Sequence, residues 1–242
     1  MKRAFAYKDE KSDKFWNIDY SGTDFAVNYG KTGAIGKYEV KQFDTEAQCL
    51  KNAESLIKKK LKKGYTEIFD FDYDSHIFLD DEETGLHPKT SHPNFSEHFT
   101  EDFYYDCGEE LAPFGSDEGS DTLYMLTLEI RKKPQLDFYK FPKNLIENEW
   151  EMTYYPADRI DENFIENMSD EEEMNVIQSD MITYATAFAQ IKITGKIDKR
   201  LKLRAINAMK RFKLCCQRSD GNFDSSITDK MIEDMQTFIT KD

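Results

Sequence analysis

No stretch of this chain holds the roughly 20 consecutive apolar residues that a helix needs to cross a bilayer, and its mean hydropathy is −0.74. No membrane partner is expected. Cysteine is scarce: the four present are Cys49, Cys107, Cys215 and Cys216. None forms a C-x-x-C pair, and the adjacent two would strain to bridge each other, so they read as reduced, structural thiols. The basic start MKRAFAYKDEKSDK lacks the apolar segment of a secretion signal, which sets the expectation of a cytoplasmic protein. Also missing are a G-x-S-x-G elbow, a Cys/His nucleophile arrangement and any nucleotide-binding loop. No catalytic residue, cofactor or metal ion is expected.

The length, 242 residues, suits one or two domains with real cores. The formal charge of −14 is unevenly spread. Residues 1–70 hold 14 Lys and Arg against 11 Asp and Glu, residues 71–174 hold 7 against 28, and residues 175–242 hold 12 against 8. A basic head joined to a strongly acidic middle points to two units with different partners.

In the head, KFWNIDY (14–20), DFAVNYG (24–30) and KYEVKQF (37–43) alternate as an antiparallel meander. A helix over 45–63 follows, opened by Thr45 with Gln48 three residues on, carried by Ala47, Leu50, Ala53, Ile57 and Leu61, and stopped at Gly64. Its last turn holds Lys58, Lys59, Lys60, Lys62 and Lys63, expected to face outward at the negative end of the helix dipole. Gly30-Lys31-Thr32 invites a P-loop reading, but that motif needs a glycine where Phe25 stands. Gly33 and Gly36 are expected instead to take positive φ in a hairpin loop. Trp16, in an alternating strand, is expected in the core.

Taken together, KFW at 14–16, YGKTGAIG at 29–36, the strand ending at Phe43, TEA at 45–47 and KKLKKGY at 59–65 resemble the WGR domain, a module of DNA-damage-responsive poly(ADP-ribose) polymerases and many bacterial proteins. Tyr29-Gly30-Lys31 stands where Trp-Gly-Arg would be; the aromatic face and the charge are kept, the bidentate fork of arginine is lost. The resemblance implies binding to DNA or other nucleic acid at ends or breaks, through Tyr29, Lys31 and Lys37 with help from Lys59, Lys60, Lys62 and Lys63. It equally allows Lys31 to dock on a neighbouring domain.

Residues 71–86 read as an acidic linker. In the following stretch Phe95, Phe99 and Phe103 recur at intervals of four, which predicts a helix with an aromatic stripe. His76, His87, His92 and His98 show no H-x-x-x-H spacing and no cysteine completes a zinc set, so they are not expected to bind metal. LAPFGSDEGSDTLYML (111–126) reads as an exposed loop presenting Asp117 and Glu118, with Ser120 or Asp121 capping a helix from Thr122. Short strands fit 123–156. Helices are predicted over 175–193, 198–216 and 226–240, the first two divided by Gly195.

The run EDFYYDCGEELAPFGSDEGSDTLYML, within 91–126, is similar to the C-terminal domain of bacterial YfeS-like proteins, which also occurs joined to WGR domains. The expected fold is therefore α+β: a WGR-type antiparallel sheet with a packed helix (1–70), the linker, and a YfeS-like, acidic, mostly helical domain (87–242). The leading functional expectation is a non-catalytic nucleic-acid binder. Its rival is an interaction module whose Asp117 and Glu118 meet a basic protein, as an immunity-type inhibitor would.

Overall fold

The computed structural model describes residues 1–240, and the chain divides into two compact units after Ser96. In the first, strands β1 (Lys2–Lys8), β2 (Asp13–Ser21), β3 (Asp24–Lys31), β4 (Lys37–Gln42) and β5 (Thr66–Ile68) form one antiparallel sheet in the order β4-β3-β2-β1-β5. The expected meander is β2 to β4. β1 lies in the basic start, where its alternation is too weak to stand out, and β5 is only three residues long.

Strand alternation sends Phe5, Trp16, Ile18, Tyr20, Phe25 and Val27 to one face, where helix α1 (Glu46–Lys62) buries Cys49, Ala53 and Ile57 against them. Their spacing of four makes a single stripe, and burial of a side chain such as Ile57 contributes about 1.5–3 kcal/mol. Thr45 caps the helix, its hydroxyl accepting from the Gln48 N–H at 3.2 Å, while the Gln48 side chain accepts from Asp44 N–H at 3.2 Å. Leu50 and Leu61, expected on the apolar stripe, are 48% and 45% exposed: Leu50 lies off the 49-53-57 row, and by Leu61 a spacing of four has drifted round the helix, so that Lys60 faces the sheet instead.

The opposite face is covered by residues 71–92. Tyr38 donates its hydroxyl proton to Ile77 O at 2.9 Å, and Asp81 Oδ2 accepts from Val40 N–H, so part of the β4 edge is paired. Phe78 and Leu79 are buried there. Residues 71–86 thus belong to the first unit rather than linking two, because Phe71, Tyr73, Phe78 and Leu79 supply the apolar cover this second face requires. The expected aromatic helix is broken. Pro93–Ser96 form a one-turn helix, α2, and Asp102–Tyr105 a separate 3-10 turn.

The second unit is helical: α3 (Asp117–Lys132), α4 (Phe141–Asn144), α5 (Glu162–Asn167), α6 (Asp170–Thr194), α7 (Lys199–Ser219) and α8 (Ser226–Thr237), with a π turn at Leu145–Glu149. The strands allowed over 123–156 are replaced by helix or irregular chain there. α6 is packed by α3, α4 and α7 and buried nearly all round, which explains its apolar run. It starts five residues before the expected 175, because Ser169 and Glu172 close a capping box. Gly195 ends it at φ 68°, as expected of a left-handed C-terminal stop. Between α6 and α7, Asp180 and Arg211 form a buried ion pair, with the guanidinium Nη2 donating to Asp180 Oδ1 at 2.8 Å and to Tyr155 O at 2.6 Å.

Candidate nucleic-acid interface

The α1 side of β2, β3 and β4 carries the candidate residues, and cross-strand register decides which of them meet. Tyr29 stands opposite Trp16 on β2 and opposite Lys37 on β4. Two positions along, Lys14 of β2 faces Lys31 of β3. Both lysines are exposed, and neither makes an ion pair among the described residues. Like charges directly opposite on one sheet face destabilise the pair, so this juxtaposition favours an anion.

Tyr29 is half-buried against the α1 core. Its hydroxyl donates to the Glu39 carboxylate, and this bond, aided by burial and by the charges of Glu39 and Asp81, pushes the phenol up to about 12. Glu39 also meets Lys37, whose Nζ is 3.5 Å from Oε1, so Lys37 is partly neutralised.

Of the lysines at the end of α1, Lys59, Lys62 and Lys63 are exposed. Lys60 is not part of an outward-facing turn. It continues the 53-57 stripe by three residues and folds inward, its Nζ 5.0 Å from the Trp16 ring centre, 5.0 Å from that of Tyr65 and 6.0 Å from that of Tyr29. Burial, with the charges of Lys63 and Lys14, lowers its affinity for a proton.

The glycine loop between β3 and β4 is built for close packing. Gly33 and Gly36 have φ of 85° and 82°, as expected. A Cβ on Gly36 would meet Phe15 Cζ at 2.6 Å and Tyr29 O at 2.7 Å. Asn28 Nδ2 donates across the loop to Ile35 O at 3.1 Å and Lys37 O at 3.3 Å, which fixes the path from Lys31 to Lys37.

Asp117 and Glu118 are not on a loop. They form the first turn of α3, whose cap is Ser116, its Oγ accepting from Gly119 N–H at 3.1 Å. Asp121, expected as a cap, lies inside the helix. Gly115 and Gly119 look like loop residues in sequence but are needed for packing: a Cβ on Gly115 would meet Glu109 O at 1.9 Å, and one on Gly119 would meet Pro113 O at 2.4 Å. The two acids therefore interact with the positive end of a helix dipole, a structural use of their charge.

The histidines each serve a local bond. His76 pairs with Asn28 Oδ1 at 2.9 Å, His87 Nδ1 accepts from Lys89 N–H at 3.1 Å, His92 Nδ1 accepts from Asn94 N–H at 3.1 Å, and His98 donates to Asp234 O at 2.8 Å. Because the Asn28 amide nitrogen donates to carbonyls, its Oδ1 is the acceptor and His76 carries its proton on Nε2.

Two residues of this surface are absent from the sequence-based candidates, Lys14 and Glu39. Lys14 was legible: the two-residue turn at Gly22-Thr23 sets Ser21 opposite Asp24, and counting outward brings Lys14 to Lys31. Glu39 carries no comparable signal, since an acid in an edge strand is ordinary.

Residues 1–72 match the family model for the WGR domain. The Escherichia coli (strain K12) "Uncharacterized protein YfeS" is 52% identical over 241 residues, which cover 98% of this chain and 98% of that one. "Protein YehF" of the same strain is 40% identical over 65 residues, 27% of this chain and 24% of its own. A crystal structure of a Bacteroides fragilis protein is 32% identical over 43% of this chain and 31% of that one, with a TM-score of 0.28. With near-complete coverage at that identity in the first of these, the chain belongs to the YfeS family of proteins that carry an N-terminal WGR domain.

Proposed function

We propose that this protein binds nucleic acid, at DNA ends or breaks, through the α1 side of its WGR domain and without catalysing a reaction. The observation that carries this reading is the Lys14–Lys31 pair beside Tyr29, both lysines exposed and neither in an ion pair among the described residues. A phosphate between the two ammonium groups would relieve their repulsion, while Lys59, Lys62 and Lys63 extend the cationic surface. Lys37 contributes less, because Glu39 shares its charge. Tyr29 serves as an anchored aromatic edge: Lys60 lies over its ring and Glu39 holds its hydroxyl. The domain assignment supports binding of this general kind.

The test is fluorescence anisotropy of a short labelled duplex with the full-length protein across a salt series. Each phosphate contact contributes about 0.9 to the slope of log K against log salt, so Lys14→Ala with Lys31→Ala is expected to flatten it by about 2. Linear DNA should compete better than closed circular DNA of the same sequence. A slope unchanged by the double substitution, or no binding at low salt, contradicts the reading.

A further inference from the structure

On the face of the sheet away from α1, Asn17, Asn28, Tyr73, His76 and Phe78 help to line a cavity of about 30 Å³. Asn17 is only 5% exposed. Neither its Oδ1 nor its Nδ2 has a hydrogen-bond partner among the described residues, and the same holds for the Tyr73 hydroxyl. Asn28, directly opposite on β3, is the contrast, since its amide bonds Ile35, Lys37 and His76. Two asparagines therefore face each other across a strand pair, one saturated and one not. A buried polar group left unsatisfied is destabilising, and three such atoms belong to residues that line one small space.

The required ligand follows from those atoms. Asn17 Nδ2 needs an acceptor, Oδ1 needs a donor, and the Tyr73 hydroxyl takes either role. An ammonium ion cannot accept and a halide cannot donate. A single water does both, and the space exceeds the roughly 10–15 Å³ that one water needs. We propose that this cavity is a built site for an ordered internal water joining the Asn17 amide of β2 to the Tyr73 hydroxyl of the covering segment. Direct bonds fasten that segment near β4, at Tyr38–Ile77 and Val40–Asp81, and at Asn28–His76. The water fastens it at β2, where no side chain reaches Asn17.

A crystal structure of the full chain at a resolution that shows ordered solvent is expected to place a water within hydrogen-bonding distance of both Asn17 and Tyr73. Asn17→Leu, close in volume, is expected to lower the melting midpoint by about 2–4 °C for a chain of this size, because the bridge to Tyr73 is lost. Tyr73→Phe in the Asn17→Leu background should recover most of that loss. A dry cavity behaves oppositely: replacing unpaired amide atoms by an apolar group relieves their cost, and Asn17→Leu melts at or above the wild type. That result, or the absence of solvent density at the site, overturns the proposal. Should Asn17→Leu not fold, Tyr73→Phe alone decides, since a midpoint at or above the wild type also overturns it and a loss of similar size supports it.

Discussion

The ammonium group of Lys60 lies 6.0 Å from the centre of the Tyr29 ring, with the rings of Trp16 and Tyr65 each 5.0 Å away. One lysine of a strongly cationic turn is thereby withdrawn from the surface and made part of the domain's packing. Lys60→Met keeps the stem and removes the charge, and is expected to cost about 1 kcal/mol in urea denaturation; Lys60→Ala also loses stem packing and should cost more. In the anisotropy assay Lys60→Met should weaken DNA binding less than Lys31→Ala. The reverse order would mean that Lys60 turns outward to the nucleic acid.

Acid should destabilise the first unit through His76. Burial, helped by the charge of His92, lowers this imidazole to about 4, whereas the unfolded chain titrates near the ordinary 6.5. Between those values the unfolded state binds more protons, so stability is full above about pH 6.5 and falls as pH drops toward 4, by up to about 3 kcal/mol. Urea midpoints at pH 7, 5 and 4 measure it. His76→Gln, which keeps a donor for Asn28, should flatten that dependence.

The second unit should depend on its buried ion pair. Arg211→Met leaves the Asp180 carboxyl, pushed up by burial against the pull of the guanidinium, without its partner in the core. The expected cost is about 3–5 kcal/mol, and Asp180→Leu in the same background should recover much of it, since an apolar pair of similar volume replaces a desolvated ionic one. Thermal denaturation of the two variants checks both signs.

The start of α3 offers a discriminating pair of substitutions. Ser116→Ala removes the cap and should cost about 1 kcal/mol, whereas Asp121→Ala, in an exposed position inside the helix, should change stability by less than about 0.5 kcal/mol. Circular dichroism melts of the two proteins suffice. A larger effect at Asp121 would return the helix start to Thr122.

Where local rules act alone, residue order was enough. Strands β2 to β4 follow from alternation, the start of α1 from Thr45 and Gln48, and the ends of α1 and α6 from Gly64 and Gly195. The same order misled where a distant surface competed. Phe95, Phe99 and Phe103 have helical spacing, yet Pro93 opens only one turn and the chain then leaves the helix. Gly115 and Gly119 suggest an exposed loop, yet each is a place where another backbone comes too close for a Cβ.

For the candidate surface the division is similar. Sequence by itself determined the WGR framework, the aromatic–glycine–lysine triplet and the two glycines of positive φ, because these depend on near neighbours and on backbone freedom. Only tertiary structure decided which lysines remain available: the helix stripe carried Lys60 inward, Glu39 partly neutralised Lys37, and register set Lys14 against Lys31. It also turned an acidic stretch into cover for the second sheet face, since an apolar face must be buried by whatever segment brings aromatics within reach.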